Sequence, residues 1–141
     1  MEWVIKEPQP GDIVRVNMGI YHHYGIFESD DSVIQFGLPN NVSCDPATIE
    51  VLTTDINVFL GTDSDSLRFL EVAEYSHEEM KTKRKASDVI SYARSKLGMR
   101  GYDILHNNCE HFVNDCVFGV AHSSFIASVR EKIKNKLKSS K

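Results

Sequence analysis

The sequence predicts an α+β fold, with the strands first and the helices last. Three observations carry this. Residues 11–75 are broken into short, β-branched or alternating apolar runs. From about residue 84 the apolar spacing changes to four, the period of a helix. Neither an internal repeat nor a low-complexity linker divides the 141 residues, which suits one packed unit.

In order along the chain, "GDIVRVNM" (11–18) alternates and predicts a strand. "YHHYGIFES" (21–29) and "SVIQFG" (32–37) predict a hairpin around Ser29–Asp30–Asp31. "TIEVL" (48–52), "INVFLG" (56–61) and "LRFLEVAEY" (67–75) predict further strands, separated by turn signals such as "LPNN" and "GTDSDS". "KRKASDVISYARSKLG" then sets Val89, Ala93 and Leu97 four apart, with Gly98 as a stop. "NCEHFVNDCVFG" predicts a second helix, capped by Asn108 and ended by Gly119. "SSFIASVREKIKNKLKSS" aligns Phe125, Val129, Ile133 and Leu137 on one stripe of a third. The expected organisation is a domain over residues 1–121 and a basic amphipathic helix over 122–141.

Charge supports that division. The net charge is −4, yet residues 122–141 hold six basic side chains against Glu131 alone. The remaining 10 basic and 19 acidic side chains make residues 1–121 an acidic body, which argues against nucleic acid as a partner. No window matches a membrane span, and the first residues lack the basic start and apolar run of a secretory signal. The expected location is cytoplasmic, peripheral to a membrane surface where the tail engages one. An apolar stripe flanked by lysines suits an interfacial helix over 123–141, and equally a helix docked on the domain with a solvated lysine face.

Three cysteines form no zinc-type pair. Cys109 and Cys116, seven apart on a helix, lie about 10.5 Å from each other, too far for a disulfide. Cys44, in a polar turn, and Cys116, deep in a helix, suit inert roles. Cys109 differs, because Asn108 as cap makes it the first helical residue. Free N–H groups there favour a thiolate and can stabilise an oxyanion. A buried, unreactive thiol is the competing reading of the same position.

A nucleophilic thiol needs a base. His111 lies about 200° around the helix from Cys109 and points away. His106 falls in the preceding turn, and His77 and His122 sit in polar surroundings. His22 and His23 are on a strand and face opposite sides of the sheet. A three-residue loop at 29–31 sets residue 25 opposite 35 and makes His23 a diagonal neighbour of Gln35. A two-residue loop selects His22 instead. A metal site from His22 or His23, His111 and Cys109 has no compact ligand set.

"NNCEHFVNDC", together with "GDIVRV…YHHYGIF…VIQFG", resembles the lecithin:retinol acyltransferase-like family over roughly residues 10–122. The resemblance implies a circularly permuted papain-like fold of the NlpC type, with its nucleophile at a helix N-terminus. It implies an acyl-enzyme on Cys109 formed from a lipid acyl donor, with His23 as base and Tyr102 at the oxyanion site; no cofactor or metal is implied. Gln35 stands where the family pattern carries a second histidine; it accepts an imidazole hydrogen bond but does not ionise. Two other readings share these residues: a thiol amidase or peptidase of NlpC type, and an interaction domain whose chemistry has decayed.

Overall fold

The computed structural model describes residues 1–38, 45–61, 69–104, 107–120 and 124–139. Six strands form one antiparallel sheet: β1 (Glu2–Val4), β2 (Ile13–Asn17), β3 (His22–Ser29), β4 (Ser32–Phe36), β5 (Val51–Thr54) and β6 (Leu70–Glu74). Their spatial order is β1-β6-β2-β3-β4-β5, so the hairpin β3–β4 lies inside the sheet. Five α-helices accompany them among the described residues: α1 (Ile56–Leu60), α2 (His77–Thr82), α3 (Ala86–Ser95), α4 (Cys109–Phe118) and α5 (Ser124–Ser139). The α+β expectation holds. Cys44, His106, His122 and most of the two quoted turn signals lie outside the described residues.

Alternation divides the sheet's side chains between two cores. Ile13, Tyr24, Ile26, Ile34, Phe36 and Val51 face α3 and α4, which contribute Val89, Ala93, Phe112, Val113, Cys116 and Val117. Val14, Val16, Phe27, Val33 and Val72 face the other way, onto Phe59 of α1. Burying a side chain of this size is worth about 1.5–3 kcal/mol, so both faces are anchored.

Three expectations are corrected, and two elements are new. "INVFLG" is the helix α1, not a strand: the Asp55 carboxylate accepts the Val58 N–H at 2.9 Å, and Gly61 ends the turn at φ 63°. An alternating apolar run this short has no period long enough to outweigh its caps. Ser29 belongs to β3, so the hairpin loop is only Asp30–Asp31, and a bulge lies between Phe27 and Ser29. Leu97 lies beyond the end of α3 and is exposed. Strand β1 and helix α2 carry no expectation in the sequence; β1 is three residues long, and α2 is held by a reciprocal Ser76–Glu79 capping box with no buried residue.

Candidate active site

Helix α4 begins where the sequence places it. The Asn108 side-chain oxygen accepts the N–H groups of Glu110 and His111, both at 3.0 Å. His111 Nδ1 in return accepts the Asn108 backbone N–H at 3.0 Å, completing a capping box. That ring therefore serves the helix end. The Asn108 amide also donates to the Ile104 carbonyl at 2.9 Å, tying the preceding loop to the cap. Gly119 closes α4 in the left-handed region at φ 72°.

Cys109 is the first residue of α4 and is buried. Burial pushes its thiol up to about 11; the N–H groups of Tyr24, Cys109 and Glu110 pull the other way, while the Glu110 carboxylate adds to the rise. The Tyr24 contact locates the site. Phe27 donates its N–H to Asp12, on the β2 side, so the N–H of Tyr24, three residues earlier, points toward β4. The β3–β4 pairing ends at Gly25 and Gln35. Beyond that point the Tyr24 N–H donates to the thiol.

His23 occupies the opposite face from α4. It is buried, and its ring lies 5.3 Å from that of Phe59. Nε2–H donates to Gln35 Oε1 at 2.8 Å. Burial lowers the imidazole to about 4, against the smaller opposing effect of the Gln35 bond. The neighbouring Gly25 permits this packing. A Cβ there would stand 2.8 Å from both Phe59 Cε2 and Val33 Cγ1. His22 takes the α4 face, beside Tyr24, with Nε2 3.9 Å from a Glu71 oxygen. Burial and then Arg15 lower it, while Glu71 and Glu110 act in the other direction.

The pairing of residue 25 with 35 is as expected, but for another reason. A two-residue loop alone would select His22; the bulge restores the parity, and His23 meets Gln35. The hydrogen bonds of the ring and of the thiol go to different partners, so the two are joined through backbone. The thiol accepts from the N–H of the peptide linking His23 to Tyr24. Tyr102 is half-buried with its ring edge-on to Phe36, centroids 5.2 Å apart. Burial, then Cys109 and then Tyr21 raise its phenol above the ordinary range.

One residue of the site has no forewarning in the sequence reading. The Gln35 amide donates to Thr54 Oγ1 at 2.6 Å. The signal was the register of β5, since Leu52 opposes Gln35 and Thr54 opposes Val33, on the same face.

Comparison with known proteins assigns the family. The family described as "Lecithin retinol acyltransferase" matches residues 6–122. The chain is 27% identical over 135 residues to phospholipase A and acyltransferase 3 of Homo sapiens, covering 89% of this chain and 80% of that protein. It is 29% identical over 140 residues to the Mus musculus protein of that name, covering 92% and 81%. To the lecithin retinol acyltransferase of Bos taurus it is 27% identical over 140 residues, 88% of this chain and 60% of that one. A match spanning both β3–β4 and the start of α4 makes this chain a member of the lecithin retinol acyltransferase family.

Proposed function

We propose that this protein is a thiol-dependent acyltransferase or phospholipase that forms an acyl-Cys109 thioester from a lipid acyl donor. The observation that carries the reading is the position of the thiol, at the first turn of α4 and against the peptide bond that follows His23. The names of the relatives, phospholipase A and acyltransferase in one case and lecithin retinol acyltransferase in the other, support the substrate class.

His23 Nε2 is committed to Gln35, so Nδ1 is the nitrogen left to take the thiol proton. The thiolate attacks the ester carbonyl carbon. The Cys109 N–H and the Tyr102 hydroxyl stabilise the oxyanion. The tetrahedral intermediate collapses, and the leaving alcohol takes the proton from His23. Water or a second acceptor then attacks the thioester by the same route in reverse. At rest the pair is neutral, with a thiol near 11 and an imidazole near 4, so proton transfer accompanies attack. Residues 1–121 carry this chemistry in the proposal, on the cytoplasmic side, and 122–141 hold the domain at a membrane surface.

Gln35 in place of a histidine favours one alternative, a thiol amidase of NlpC type. Intact-protein mass spectrometry after incubation with short-chain phosphatidylcholine separates the two. The expected result is an acyl adduct on Cys109, missing in Cys109→Ser. No adduct with the lipid, but turnover of a peptide amide, would replace the lipid reading with the amidase one.

A further inference from the structure

We propose that Thr54 is a positioning residue whose hydroxyl fixes the direction of the Gln35 amide, and thereby which nitrogen of His23 keeps its lone pair. Its catalytic meaning rests on the reading of Cys109 and His23 given above; its mechanism is hydrogen bonding alone. A glutamine amide has two ends of nearly equal shape, one donating and one accepting. Gln35 is fully buried, so its direction depends on what each end meets.

The far end meets Thr54 Oγ1 at 2.6 Å. A hydroxyl has one proton to give. Thr54 gives it to the Asp55 carbonyl at 3.0 Å and so offers Gln35 a lone pair. That carbonyl is itself held, because it also accepts the Phe59 N–H at 3.2 Å as α1 begins. The amide must therefore turn its N–H toward Thr54 and its oxygen toward His23. A neutral imidazole facing an acceptor carries its proton there, on Nε2, and leaves Nδ1 basic. With the amide reversed, the lone pair would lie on Nε2 against an N–H, and Nδ1 would be protonated and unable to receive the thiol proton. The chain Asp55–Thr54–Gln35–His23 thus sets the tautomer from the first turn of a helix on the far side of the sheet.

The full chain, labelled with ¹⁵N in its histidine rings, tests this near pH 7, with the His23 signals assigned by comparison with His23→Gln. The wild-type ring is expected to be protonated on Nε2 and bare on Nδ1. Thr54→Val keeps the shape at a half-buried position and removes the hydroxyl. It is expected to move both ring shifts toward a tautomer mixture. Alkylation of Cys109 by iodoacetamide should slow by about tenfold, the equivalent of one lost hydrogen bond. Thr54→Ser should restore both readouts. A wild-type ring protonated on Nδ1 overturns the proposal whatever the variants do, and so does Thr54→Val with unchanged shifts or Thr54→Ser behaving like Thr54→Val. Shifted ring signals in Thr54→Val with wild-type alkylation would support the tautomer lock and instead remove His23 as the base for Cys109.

Discussion

At the scale of single residues, the site combines two groups that burial keeps uncharged. For His23 this has a thermodynamic signature. Its folded value, about 4, lies below the unfolded value of 6.5, so between these the unfolded chain binds the extra proton. Stability therefore falls as pH drops from 6.5 through 4, by on the order of 3 kcal/mol from this group. His22 is lowered from the same starting value, chiefly by burial, and acts in the same direction, so a comparison is needed to isolate His23. In urea denaturation across this range, His23→Gln is expected to have a shallower pH slope than the wild type. Equal slopes would mean that the imidazole is already charged in the fold. The sequence made His23 and Gln35 neighbours only for one loop length, because adjacent histidines differ by a face and loop length cannot be read from Ser29–Asp30–Asp31. The bulge at Glu28 settles it. Thr54 was harder to see, since its partner became visible only with the register of β5.

At the scale of elements, α4 was legible almost to the residue. Asn108 and Gly119 are strong local signals whose chemistry does not depend on the rest of the fold. Helix α1 was not, because five residues between Asp55 and Gly61 fit a strand or a helix equally well until the carboxylate is seen capping. The cap of α4 has two duties, to satisfy N–H groups and to tie the Ile104 carbonyl to the helix. Asn108→Ala is expected to cost about 1–2 kcal/mol in denaturant unfolding, the usual worth of a good cap. The alkylation rate of Cys109 should change with it, since the first turn then frays around the thiol. A full-strength rate in a destabilised Asn108→Ala would show that the thiol owes its reactivity to His23 and not to the helix end.

At the scale of the whole molecule, charge divides along the chain into an acidic body and a basic tail. Residues 130–138 of α5 are exposed, including Ile133 at 55% and Leu137 at 64%, so at these positions the apolar stripe is not covered by the domain. The side chains of Phe125 and Val129 lie outside the described residues. Removing residues 123–141 is expected to weaken binding to anionic vesicles while sparing hydrolysis of a small soluble thioester. A basic side chain near an anionic leaflet contributes about 1 kcal/mol, and the attraction is screened over about 8 Å at physiological ionic strength, so high salt should erase the difference. Precipitation of the truncated protein would show instead that the helix covers the domain. The order of parts along the chain also has a consequence in time. His23, Gln35 and Thr54 all belong to the first 54 residues, whereas Cys109 arrives more than fifty residues later. As the chain leaves the ribosome N-terminus first, the β3–β4 hairpin can seat its histidine before Cys109 is made. In the mechanism proposed above, the base would be synthesised first and the sulfur it serves more than fifty residues later.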